Sequence, residues 1–291
     1  MSALANWFHQ RLADPRWSLH GRRVAGAAST VLVVSAVTAA ALAISLILPN
    51  NLPGRAVEAL IMSTLLTQRS LAMSVAGAIA PLRLGDLSGA QSRVAHVVGH
   101  DVVRLDAAGL ARAATGSLAN NFSTGVVAPA FWGVLFGLPG VAAYKAICIA
   151  HEAVSRNDGD DDAFAWLPAR LDALVNIIPA RLAALLVSLA AWSRAMIAAS
   201  ATWREARKHR LRNAGWAEAA MAGALGVRLS RPAGGDDSGT EERWFNAGAP
   251  DPSAADVAHA LRVYVRADML LVSALALAAL IGAAYALQVQ S

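Results

Sequence analysis

A chain of 291 residues is long enough for one large domain or two small ones, and it is 56% hydrophobic with only 15% charged residues, a balance outside the usual soluble range. Mean hydropathy of +0.44 points to the bilayer. The net charge of +5 is carried mostly by arginines scattered between apolar segments, which suits anchoring at a membrane surface and argues against a nucleic-acid partner. The single cysteine, Cys148, excludes an internal disulfide and a cysteine-built metal cluster.

In chain order, the first twenty residues are polar and predict no cleavable signal. Residues 24–48 form a clear span: the run is almost wholly apolar, follows Arg22-Arg23 and stops at Pro49-Asn50-Asn51, and about 20 such residues cross the hydrocarbon core. A polar connection, 51–121, comes next. Within it Ala56 to Asn120 predicts two or three amphipathic helices, with Arg69, Arg83, Arg93, Arg104 and Arg112 set among Leu, Val and Ala, and with LGDLSGAQ and GHDVVRLDAAG supplying caps and breaks. Residues 122–150 are a weaker apolar segment interrupted by Gly137-Leu138-Pro139-Gly140, readable as a full span or as a re-entrant hairpin lining a cavity. The connection 151–173 holds six acids against Arg156 and Arg170, and its NDGDDD run reads as a solvated loop because it lacks the Gly and distal Glu of an EF-hand.

A second weak apolar segment covers 174–200. The polar connection 201–268 opens with the basic WREARKHRLR and contains PAGGDDSGTEER, whose Gly, Ser and acidic content predicts a flexible loop. Residues 269–287 form the second clear span. No strand pattern, internal repeat, Gly-rich phosphate loop or His-Glu-x-x-His zinc pattern interrupts this series. The predicted class is therefore all-α: a single polytopic membrane domain over 1–291, with amphipathic helices and broken ones readable as full spans or as re-entrant hairpins.

Polar residues at the ends of broken apolar segments need a reason, since an unpaired polar group in a low-dielectric region costs several kcal/mol. Four clusters qualify: Asn120-Asn121 with Ser123 and Thr124; Tyr144-Lys145; Arg170 with Asp172, Asn176 and Arg181; and His209 with Asn213 and Glu218. Each has a structural reading beside the functional one. Lys145 can snorkel at a membrane boundary, Arg181 can anchor the start of an apolar helix, and Asp172 can pair locally with Arg170. Trp132, Trp192 and Trp203 read as interface anchors.

Three blocks in one order, SLANNFSTGVVAPAFWGVLFGLPGVAAYKAI, PARLDALVNIIPARL and NAGWAEAAMAGALGVRL, resemble the CobD/CbiB family of cobalamin biosynthesis, the adenosylcobinamide-phosphate synthases; the likeness runs from about Gln68 to about Arg266. The resemblance implies an integral enzyme of the bacterial inner (plasma) membrane, with its active face cytoplasmic because it uses ATP. With Mg²⁺ it would join a carboxylate of a corrinoid, adenosylcobyric acid, to aminopropanol or its phosphate, beside other cobalamin-pathway enzymes. Carried over by position, Asn121, Lys145, Asp172, Asn213 and Glu218 become candidate catalytic residues. Arg170, Asn176 and Arg181 become candidates for nucleotide or carboxylate contacts, and Asp172 and Glu218 candidate metal ligands.

The chain also departs from the family pattern. Acids give way to Gly116, Asn120 and Thr124 in the first block, to His151 after Tyr144-Lys145-Ala146, and to Ala173 after Asp172. Neutral side chains keep hydrogen bonding but weaken a Mg²⁺ site. A shift of register would let Glu152 restore one carboxylate. The departures leave a second expectation open, a non-catalytic, AmpE-like membrane scaffold or regulator. Arg11, Arg16, Arg22 and Arg23 favour a cytoplasmic N-terminus, which places the Asn121 block on the far side after one crossing unless 122–150 and 174–200 fold back.

Overall fold

The computed structural model describes residues 18–65, 68–95, 98, 102–103, 105–156, 163–205, 213–229 and 244–290. Arg11, Arg16, Arg104, the acidic run 157–162, His209 with most of the basic stretch after Glu205, and the 230–243 loop lie outside the described residues. No strand occurs among the described residues, only an isolated antiparallel bridge between Leu229 and Phe245.

Several helices begin where a side chain can accept the first free amides. Ser18 takes the Gly21 N–H at 3.1 Å to open α1, Leu19–Ile47. Asn51 takes that of Gly54 at 2.9 Å to open α2, Leu52–Thr64, with a proline in its first turn. After α3, Gln68–Leu84, Asp86 accepts from the Gly89 amide at 2.9 Å and the Ser88 hydroxyl at 2.8 Å to open α4, Leu87–Ala95. Those donors hold the Asp86 carboxyl below its usual range. Asp106 accepts from Gly109 at 2.7 Å to open α5, Ala107–Asn121. Thus Asp86 of LGDLSGAQ and Asp106 of GHDVVRLDAAG act as caps, and the stretch expected to give two or three amphipathic helices holds most of α2, all of α3 and α4 and nearly all of α5.

A π-helical turn, Phe122–Val127, leads into α6, Ala128–Arg156. Then come α7, Trp166–Val175; α8, Ile177–Ala190; a 3₁₀ turn, Trp192–Arg194; α9, Ala195–Glu205; α10, Ala214–Leu225; and α11, Ala254–Gln290. Among the described residues three helical runs are long and apolar enough to cross a membrane, Leu19–Ile47, Ala107–Val154, which is broken at Gly137, and Ala254–Gly282, and a fourth arises if α7 and α8, bent at Asn176, count as one. The protein is thus an all-α, polytopic membrane protein. The final helix starts well before the predicted 269 because Val257, Ala260, Val263, Tyr264 and Ala267 recur at helical spacing and are buried, so the last part of the supposed polar connection is an amphipathic helix base.

The chain divides into two compact units. The first comprises the described residues of Met1–Leu66 and Ala128–Pro179. Here α1 packs on α6 and α7. Ser29, Thr30 and Thr38 sit within α1 by donating to carbonyls three or four residues back, at 3.0, 2.7 and 2.7 Å, so they bring no unpaired hydroxyl into an apolar helix.

The helix α6 is broken at Gly137, whose φ of 62° and ψ of −151° belong to a region essentially open to glycine alone. Beyond it the chain doubles back. A Cβ on Gly140 would collide with the Trp132 carbonyl and come within 2.7 Å of Phe136 Cβ, and one on Gly133 would lie 3.0 Å from Val141 Cγ2. Residues eight apart in a straight helix are separated by about 12 Å, so these contacts require a helical hairpin. Its tip is held by Glu58 of α2, whose Oε1 accepts from the Ser45 hydroxyl at 2.9 Å and from the Leu138 amide at 3.4 Å.

The second unit comprises the described residues of Thr67–Val127 and Ala180–Ser291. Its core is one apolar cluster that includes Leu110, Leu118, Phe122, Val126, Met221, Val257 and Tyr264. Arg194 donates to the Leu225 carbonyl at 2.7 Å and so closes the C-terminal end of α10. Asp251 accepts from both Arg112 and Arg228, whose guanidinium carbons lie 5.3 and 4.7 Å from the Trp244 ring centre. Hydrogen bonding from Arg228, followed by that from Arg112, holds the Asp251 carboxyl down at about 2.

Candidate functional site

In the first unit, α6 and α7 face one another through polar side chains. Tyr144, Cys148 and His151 recur at one-turn and two-turn spacing on α6, and Asn176, the C-cap of α7, lies one turn beyond Asp172. The Tyr144 hydroxyl donates to Asn176 Oδ1 at 2.9 Å; both residues are 2% exposed. Asn176 Nδ2 donates to the Asp172 carbonyl at 2.9 Å and to its carboxylate at 3.2 Å. The Cys148 thiol lies in hydrogen-bonding reach of both Tyr144 and Asp172. Asn176 therefore has a definite task, joining a buried tyrosine to the candidate carboxylate.

Lys145 is half-buried on α6, within electrostatic reach of Cys148 and Glu152. Arg170 is exposed and borders a surface groove of about 350 Å³ with Ala165, Trp166, Ala169 and Ala173. Asp172 is engaged with Asn176 instead. His151, where the resemblance implies an acid, lies in electrostatic contact with Asp172, and its Nδ1 is buried with no hydrogen-bond partner. Glu152 is exposed, so it does not take over that position by a change of register.

In the second unit the candidates are Asn121, Arg181, Asn213 and Glu218. Glu218 on α10 is 4% exposed, and its carboxylate carbon lies 3.7 Å from where a side chain on Gly116 would begin. The position implied to hold an acid is thus the one that looks directly onto Glu218. Among the described residues of this unit, buried oxygens without a hydrogen-bond partner are Thr115 Oγ1, Asn121 Oδ1 and the Tyr264 hydroxyl, whose ring packs edge-on against Phe122 at 5.4 Å. Orphaned buried acceptors are rare and call for a water, an ion or a ligand.

Arg181 stacks its guanidinium 4.6 Å from the centre of the Trp216 ring, which fixes it on α10. Asn213 precedes α10 in the N-cap position without a side-chain cap bond to that helix. Among the tryptophans, Trp192 and Trp203 are 83% and 70% exposed, while Trp132 donates to the Val175 carbonyl at 3.1 Å and stacks on Phe136, so it packs inside the first unit. Sequence reasoning missed Glu58, His151 as the partner of Asp172, and Tyr264. Only Glu58 carried a visible signal, as a lone acid in an apolar helix.

Among the described residues no group of three or more His, Cys, Asp or Glu side chains is placed to hold a metal. That donor set does not fit a cation caged by protein. It does fit Mg²⁺ bound through one or two carboxylates with phosphate and water completing its shell. Within the first unit the half-buried Asp172 is such a carboxylate, and within the second unit the buried Glu218 is another.

A family model described as CobD/Cbib protein matches residues 1–264. Proteins named "Cobalamin biosynthesis protein CobD" are similar over most of the chain. The one from Rhodobacter capsulatus is 43% identical over 265 residues, covering 90% of this chain and 84% of its own. That from Brucella suis is 37% identical over 266 residues, covering 87% and 80%, and that from Rhizobium meliloti 37% over 233 residues, covering 78% and 71%. No solved structure matches the chain.

Proposed function

This chain belongs to the CobD/CbiB protein family, and on that premise we propose that it acts in cobalamin biosynthesis as an adenosylcobinamide-phosphate synthase, an ATP-dependent ligase of the plasma membrane. The reaction joins a carboxylate of adenosylcobyric acid to the amine of aminopropanol or its phosphate, with its active face on the cytoplasmic side where ATP is found. The observation that carries this reading is the family match, beside which stand the buried Glu218 carboxylate and the buried Asn121 oxygen that accepts no hydrogen bond.

Activating a carboxylate with ATP releases ADP and leaves an acyl phosphate; the amine then attacks the acyl carbon, phosphate departs, and the amine loses a proton. Mg²⁺, when bound, neutralises phosphate charge. In the first unit Asn176 holds the Asp172 carboxylate in place, and Lys145 is the cation suited to a phosphate. In the second unit Glu218 and the bare Asn121 oxygen are acceptors suited to an ammonium group before it gives up its proton. Arg181, braced on Trp216, and the exposed Arg170 are further candidates for anionic groups.

The test is complementation of a strain lacking cobinamide-phosphate synthase, fed adenosylcobyric acid. Growth on endogenous cobalamin supports the reading, and no growth despite full membrane expression overturns it. Asp172→Ala and Glu218→Gln are each expected to lower turnover by about 10² or more, the scale of losing a positioned charged group. Normal turnover in both would remove these site assignments.

A further inference from the structure

The hairpin of α6 borders an open cavity of about 330 Å³ within the first unit, lined by Thr38 of α1 and Val175 of α7 together with Trp132, Phe136, Ala143 and Ile147. Trp132 and Phe136 form one wall as a stacked pair, centres 5.8 Å apart and planes 14° from parallel. Each polar side-chain group on the lining is bonded within the protein. Trp132 Nε1 donates to the Val175 carbonyl at 3.1 Å, the Tyr144 hydroxyl to Asn176 at 2.9 Å, and the Thr38 hydroxyl to the Val34 carbonyl at 2.7 Å. A bound water needs two to four polar partners, and these walls keep their own groups engaged.

The cavity also reaches the surface. Phe136, part of its lining, is 61% exposed, beside exposed Leu135 and Val134 on the same arm. In a protein with membrane-spanning helices such a surface meets hydrocarbon. A corrinoid, rimmed by amides and carboxylates, would lose hydration here without gaining partners, whereas a hydrocarbon chain loses nothing.

We propose that this cavity is a binding site for one acyl chain of a membrane phospholipid, which enters past Phe136 and lies along the Trp132–Phe136 stack, beside the hairpin and against Thr38 of α1. The chain supplies packing contacts to the side chains that line the cavity, which lack them on that side. The size lies at the low end of ligand pockets, which run from about 300 Å³, and suits part of a single chain better than a whole lipid.

The full-length protein, reconstituted in vesicles of phosphatidylglycerol and phosphatidylcholine with a diazirine midway along one acyl chain, is irradiated and its adducts mapped by peptide mass spectrometry. Adducts at Trp132, Phe136, Ala143 and Ile147 are expected to exceed those on exposed Leu46 and Ile47 of α1 several-fold. Ala143→Phe, which plugs the cavity, is expected to bring them down to the α1 level, and Ala143→Leu to an intermediate one. Melting temperatures identify the folded variants; if Ala143→Phe does not fold, Ala143→Leu decides. Equal labelling of cavity and α1, unchanged labelling in a folded plugged variant, or displacement of the adducts by soluble adenosylcobyric acid would each overturn the proposal.

Discussion

Asn121 has a side-chain oxygen that is shut from solvent and accepts no hydrogen bond, a state that destabilises the folded protein while it lasts. Replacing it by Leu removes that burden, so Asn121→Leu is expected to melt within a few degrees of the parent, or above it, while activity falls by about 10² if the oxygen receives a substrate donor. A large drop in melting temperature with activity retained would reduce Asn121 to a structural residue. Asp251 offers the opposite case. Its carboxyl titrates near 2 in the folded protein against about 3.9 when unfolded, so its contribution is complete above pH 4 and lost as pH falls toward 2. With side chains 18% to 36% exposed around the bridge, solvent screening limits that contribution to about 1 kcal/mol. Asp251→Asn should therefore melt a few degrees lower at pH 7, with the gap closing near pH 2 and narrowing in high salt; a gap independent of pH would contradict the charge argument.

At the scale of elements, the hairpin in α6 decides the arrangement of the first unit. Gly140 is needed because the Trp132 carbonyl occupies the space a side chain would take. Gly140→Ala should open the hairpin or cost well above 1 kcal/mol, the usual toll of overpacking, seen as a lower melting temperature in detergent and faster proteolysis. Glu58 caps the returning arm, so Glu58→Ala leaves the Leu138 amide without that acceptor and is expected to cost about 1 to 2 kcal/mol, with Glu58→Gln costing less because it retains an oxygen. Equal melting of all three proteins would show that the cap contributes nothing. The Gly-Leu-Pro-Gly break was legible in the letters as an interruption. The sense of the reversal was not, since Gly137 permits several backbone geometries and only packing selects one.

For the molecule as a whole, composition and the three spanning runs predict that it stays with the membrane fraction after an alkaline carbonate wash; release into the supernatant would refute a spanning topology. Two compact units interleave along the chain, the first taking the residues before and after Thr67–Val127 and the second resuming at Ala180. Local pattern does not reveal such interleaving, because each apolar segment satisfies the same periodicity whichever neighbour it joins. The candidate residues divide accordingly: Lys145, Arg170, Asp172 and Asn176 belong to the first unit, Asn121, Arg181, Asn213 and Glu218 to the second.

The amino-acid sequence alone determined the helical class, the strong first and last apolar runs, the aspartate caps and the family, because those follow from composition, from local hydrogen-bond chemistry and from blocks of letters in order. Only the tertiary structure decided that α6 folds back on itself, that Glu58 holds its tip, that His151 rather than Glu152 lies near Asp172, and that Gly116 looks onto Glu218. Each of those depends on which residues distant in the chain share a buried neighbourhood, a matter settled by close packing and by the cost of leaving a buried polar group unpaired.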